Sequence, residues 1–141
     1  MANEAVLRDT KIISSKRLTC ATSTAIPKGS LLTLSADNTA IIASADGQVF
    51  AGVCHADVNN STDTAFNTET NVTADKGAVF DLVASGAIPR GHLVSLACSS
   101  GYANTVKLAS TAEIASSLRV IVGMTLEAAD DAERVNVEVF V

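Results

Sequence analysis

The chain has 141 residues, 48% of them hydrophobic and 4% aromatic, and a formal net charge of −5. That length and apolar content allow one compact core of Val, Ile, Leu and Ala, and they exclude wholesale disorder. The acidic balance excludes a phosphate-neutralising surface, and the scarcity of rings argues against a pocket built to grip a sugar or a drug-sized ligand.

In chain order, residues 1–17 read as an N-terminal arm. Val6, Leu7, Ile12 and Ile13 are its few apolar side chains, so it is expected to order only against something else. Its start, Met-Ala-Asn-Glu-Ala-Val-Leu-Arg-Asp, lacks the basic-then-apolar pattern of a secretion signal. No apolar run reaches the ~18–20 residues that span a bilayer. The expectation is a protein made and left in a host cytoplasm, with no membrane partner. Lys11, Lys16 and Arg17 form the only basic cluster. It reads as a solvated strand end, and no nucleic-acid partner is expected.

From residue 18 to 141 the chain reads as a single β domain built on an internal near-repeat, one copy within 18–58 and the other within 80–130. Residues 25–35 read AIPKGSLLTLS and residues 87–97 read AIPRGHLVSLA, an offset of 62 (25 to 87). A β-compatible run precedes each copy, Leu18–Ser23 and Val79–Ser85. An apolar strand with a glycine follows each, Val49–Val53 and Arg119–Leu126. In AIP[KR]G the proline is expected at the second corner position, where it presets φ, and the glycine two residues on takes φ > 0 without steric cost. Ile26 and Ile88 then anchor the two corners in the core. Asn59–Asn71, rich in Asn, Thr and Ser, reads as a long loop.

The second copy carries extra material at Ser110–Leu118. Ser110-Thr-Ala-Glu113 fits a capping box, which predicts one short helix near 111–118 with Ile114 and Leu118 on one face. Elsewhere Leu32/Leu34, Val94/Leu96 and Val135/Val137/Val139/Val141 alternate with polar neighbours, at the period of half-buried antiparallel strands. Many short strands between turn signals predict a mainly β fold. It is expected to be a small antiparallel barrel, or a sandwich, with pseudo-repeated halves and Arg134–Val141 closing the sheet.

Residues that carry chemistry are few. Cys20, Cys54 and Cys98 are odd in number and lack CxxC spacing, so buried free thiols are expected rather than disulfides or a metal site. Cys54 and His55 are neighbours on a strand and point to opposite faces, which rules out direct activation of the thiol. His92 stands where the first copy has Ser30, a turn-to-strand position. His55 and Asp57 alternate on one face as two metal ligands would, but no third or fourth stands at a recognisable spacing. Glu127, Asp130, Asp131 and Glu133 read as a solvated acidic turn rather than a calcium loop. No GxGxxG or P-loop occurs. No enzyme, metal or cofactor is expected.

Strand, AIP[KR]G, LLTLS, a short Asp/Asn/Gly turn and an apolar FAGV or IVGM strand together resemble the small head-decoration, or cement, proteins of tailed phages. The resemblance covers about residues 18–141. It implies a structural protein on the outer surface of the virion head, bound to the major capsid protein and clamping neighbouring subunits of the expanded shell, commonly as a homotrimer. It also implies contact through an extended N-terminal segment, a role that falls by position on Ala2, Asn3, Glu4, Val6, Leu7, Arg8, Ile12 and Ile13. An arm that adds a strand to a sheet edge gains main-chain hydrogen bonds, and linked arms raise avidity by roughly 10²–10⁴. A second class of function stands beside this one, a virion-surface module that recognises a host surface ligand, and the poverty of rings counts against it. A small cytoplasmic enzyme, the third class, would need a perturbed His or Cys in a cleft.

Overall fold

The computed structural model describes residues 5–7, 14–21, 24–60, 70–98, 104–116 and 118–140. In chain order the strands are β1 (Val6–Leu7), β2 (Ser14–Cys20), β3 (Thr24–Ile26), β4 (Leu31–Ala36), β5 (Thr39–Ile42), β6 (Phe50–Cys54) and β7 (Val58–Asn60). They continue with β8 (Asn71–Lys76), β9 (Val79–Ser85), β10 (Leu93–Leu96), β11 (Thr105–Leu108), β12 (Ile121–Thr125) and β13 (Arg134–Val139), with a helix α1 (Thr111–Ser116) between β11 and β12. The described residues close into two five-stranded barrels, β2-β5-β4-β6-β8 and β9-β11-β10-β12-β13. In each, the first strand pairs parallel with the third and the other neighbours are antiparallel. The fold is therefore mainly β in pseudo-repeated halves, and closure leaves each small sheet with little open edge.

The halves repeat bond by bond. Thr19 N–H donates to Asn38 O (2.8 Å) as Val83 N–H donates to Asn104 O (3.1 Å), an offset of 64 for β2 onto β9 (19 to 83). Gly29 N–H donates to Cys54 O (2.8 Å) as Gly91 N–H donates to Thr125 O (2.9 Å). Each AIP[KR]G corner thus grips the end of the glycine-bearing strand that follows it. Ile26 and Ile88, each 1% exposed, pin the corners. Ile26 pairs with Val58 between β3 and β7, and Ile88 bridges Ala129. The turn itself falls one residue later than the sequence reading has it. Ser30 N–H bonds Pro27 O (3.2 Å), so Pro27 is the first corner residue and Lys28 and Gly29 the central two. The fixed φ of proline serves the strand end equally well, and the glycine keeps its positive φ, 82° at Gly29 and 76° at Gly91.

One buried cluster spans both barrels, and the first barrel keeps a second cluster of its own. Cys20, Leu32, Cys54, Val72 and Ala74 point into the first barrel. Leu31, Phe50 and Val53 join a cluster with Phe80, Leu82, Val122 and Val137 of the second. Adjacent residues Leu31 and Leu32, and Val53 and Cys54, are therefore all buried, because β4 and β6 have apolar surroundings on both faces.

Three other expectations need adjustment. Asn59–Asn71 is not wholly loop: Asn59 and Asn60 belong to β7, Asn71 opens β8, and 61–69 lie outside the described residues. Ser14–Arg17, grouped with the arm by sequence, pair with β8 from Lys76 to Thr73 as barrel wall. The short helix expected near 111–118 is present but ends at Ser116, a 3-10 turn follows at Leu118–Val120, and Ile114 is 42% exposed. Six residues are too few for a buried apolar stripe.

Candidate functional site

The root of the N-terminal arm crosses the seam between the barrels. Ala5 N–H donates to Gly29 O (2.7 Å) in the first barrel, and Ala5 is buried in the shared core. Val6 and Leu7 then pair antiparallel with Asp81 and Phe80 of β9. They can do so because β13 lies along one edge of β9, while β11 covers only Val83–Ser85 of the other. β1 takes the remainder of that second edge. Of the eight arm residues singled out by sequence, Val6 and Leu7 are placed on this edge. Ala2, Asn3, Glu4, Arg8, Ile12 and Ile13 lie outside the described residues. Sequence reasoning missed Ala5, the residue that goes into the core, since one alanine between Glu4 and Val6 carries no distinguishing signal.

Beside this root is a cavity of about 110 Å³ lined by Ala5, Lys28, Gly29, Cys54, His55, Asp75 and Phe80. The Asp75 side chain, 4% exposed, sits at its wall. Its Oδ1 accepts Ser15 Oγ–H (2.6 Å), and its Oδ2 lies 2.6 Å from Nδ1 of the half-exposed His55. A buried carboxylate needs such partners, and these two hold it in place. The trio is not a hydrolytic triad, because the serine bonds the carboxylate instead of the imidazole. Cys54 is held mostly as the neutral thiol. Burial pushes its thiol up to about 11, and Sγ–H faces Ala56 O (3.0 Å). The arrangement braces the seam where Ala5 docks.

The remaining candidates serve backbone. Asp57 does not join His55; its Oδ1 accepts Lys28 N–H (2.7 Å) and steadies the first corner. In the acidic turn, Glu127 accepts Asn136 N–H (3.0 Å), Asp131 accepts Gly86 N–H (2.7 Å) and Glu133 accepts Asp130 N–H (3.0 Å). His92 is exposed at the second corner, where its N–H donates to Thr125 Oγ1 (3.2 Å).

No known protein family matches the chain by sequence, and no curated protein does. Among solved structures it is similar to the head fiber gp8.5 N base of bacteriophage phi29, with a TM-score of 0.51 at 13% identity. The likeness covers 89% of this chain and 92% of that one, and at this identity it is a likeness of fold.

Proposed function

We propose that the chain is a non-enzymatic structural protein of a phage head, carried on the outer surface of the shell, where it binds the major capsid protein and clamps neighbouring subunits. The observation that carries this reading is a fold shared with a head-fibre base over nearly the whole of both chains. The corner-and-strand pattern that resembles head-decoration proteins supports it independently. With Ala5–Leu7 fastened to the chain's own barrels, contact with the shell falls to Ala2, Asn3 and Glu4 before the root and to Arg8, Ile12 and Ile13 after it. A homotrimer would present three such contacts at once, which is how weak strand additions become firm attachment.

Mass spectrometry of purified virions, with and without brief surface proteolysis of intact particles, tests the location. The chain is expected in the virion and accessible from outside. Its absence from purified particles would overturn the reading. The structural neighbour is the base of a fibre, which favours a second reading, in which the chain seats a projecting module and contributes nothing to shell strength. Thermal rupture of heads with and without the protein separates the two: clamping raises the rupture temperature, whereas a mere seat leaves it unchanged.

A further inference from the structure

The edge of β9 that holds β1 has a counterpart in the first barrel. By the offset of 64 that matches Thr19 with Val83, Arg17 stands at the place of Asp81 and Lys16 at that of Phe80. Cys20 N–H donates to Thr70 O on the β8 side, and Thr19 N–H donates to Asn38 O on the β5 side. Antiparallel alternation therefore turns the main-chain groups of Ser15 and Arg17 away from β8, toward the β5 edge. There β5 pairs only with Thr19 and Cys20. Among the described residues no strand pairs with Ser15–Arg17 on that edge, whereas Val6 fills the matching place opposite Asp81.

The charge on this edge selects the occupant. Ser15, Lys16 and Arg17 are exposed. Lys76, on the adjoining β8, donates Nζ to Phe50 O (3.3 Å) and stands 5.2 Å from the Phe50 ring centroid. Burial first, and the charge of Lys16 second, hold its pKa below the usual lysine range. The carboxylate of the same strand, Asp75, is already taken by Ser15 and His55. A chain of net charge −5 thus places two exposed cations, Lys16 and Arg17, on one open strand edge, with Lys76 across β2 on the β8 side. Pairing of two such edges from two copies would set Lys16 and Arg17 against their own kind, which opposes self-association.

We propose that the Ser15–Arg17 edge of β2 receives an extended acidic segment of a partner protein by strand addition. Main-chain bonds form at Ser15 and Arg17, and carboxylates of the incoming strand meet Lys16 and Arg17. This goes beyond the head-surface reading and stands without it.

The test is amide exchange followed by NMR on the full chain, alone and with a decapeptide of repeating Glu-Glu-Val, whose neighbouring carboxylates reach both faces of the strand; the control peptide replaces Glu by Lys. In the free chain the Arg17 amide is expected to exchange fast and the Asp81 amide, opposite Val6, slowly. The Glu peptide should slow Arg17 exchange by about tenfold or more, an effect the Lys peptide lacks and the K16E/R17E double variant loses. Arg17→Pro removes an N–H that β8 does not use. It should keep the melting temperature near that of the parent and lose the peptide. An Arg17 amide already as protected as that of Asp81 in the free chain would overturn the proposal. So would the absence of slowing by the Glu peptide, or slowing that survives K16E/R17E.

Discussion

Gly52 and Gly123 occupy matching places in the two halves, and both are needed because a neighbouring strand comes too close for a side chain. A Cβ on Gly123 would run into the Glu138 carbonyl, and one on Gly52 would lie 2.8 Å from Ala74 Cβ at a φ of 140°. Gly123→Ala and Gly52→Ala are expected to cost about 2–4 kcal/mol each in urea unfolding. Gly91→Ala meets open space and suffers only its φ of 76°, so about 1 kcal/mol is expected there. Both strand glycines were visible in the sequence as a repeated feature, but their reason was not. The close approach depends on β8 and β13, which lie well downstream. The cysteines behave as their spacing implied, being free and buried. Burial lifts the Cys54 and Cys98 thiols from 9.0 to about 11, which leaves about a hundredfold less thiolate at pH 8. Alkylation of the native chain at pH 8 should therefore be slower than in urea by about that factor or more, as read by mass spectrometry. Rapid native labelling of Cys54 would contradict its burial.

At the scale of elements, α1 acts as a strut between the barrels. Ser110 Oγ accepts Glu113 N–H (3.1 Å) and Glu113 Oε2 accepts Ser110 N–H (2.8 Å), a complete capping box. Glu113 also accepts Ser95 Oγ–H (3.1 Å) and lies 3.4 Å from Lys107 Nζ, which reaches Asp46 of the first barrel at 3.6 Å. Burial alone would raise the Glu113 pKa; the bonds from Ser110 and Ser95 and the charge of Lys107 outweigh it and hold the carboxyl below 4.5. A carboxyl depressed in the folded state contributes stability above its unfolded pKa, and that stability is lost as pH falls through the folded value. Glu113→Gln is thus expected to cost about 1–2 kcal/mol at pH 7, with the difference from the parent shrinking in acid. Chemical unfolding across that pH range checks it, and a gap that stays constant would mean the charge plays no part. The box was legible because its four residues are local. The strut was not, because Asp46 and Gly47 come from the other barrel. β8 stayed hidden for a different reason. Only Val72 and Ala74 mark its inward face, too few to set a period against flanking Asn and Thr. The polar run Ser14-Ser-Lys-Arg17 likewise concealed the start of β2.

For the whole molecule, the shared core decides how the halves behave. Leu31, Phe50 and Val53 of the first barrel join the interior of the second, so the larger buried cluster spans both halves even though the first barrel keeps a smaller one of its own. The chain is expected to unfold in one transition, with calorimetric and van't Hoff enthalpies equal, and two resolved transitions would contradict a common core. The near-repeat made two similar halves readable from AIPKGSLLTLS and AIPRGHLVSLA. That they close as barrels, each with a parallel pair, required the register of strands with no counterpart in the quoted motifs.

The head-surface role is the central claim, and co-sedimentation with expanded phage heads stripped of this protein tests it most directly. The full chain would be compared with one lacking Ala2–Glu4, which spares the β1 root, and with an Ile12→Asp/Ile13→Asp variant. Saturable binding by the full chain, weakened by either change, is the predicted result. A full chain that stays in the supernatant, while its melting temperature reports an intact fold, would contradict the account.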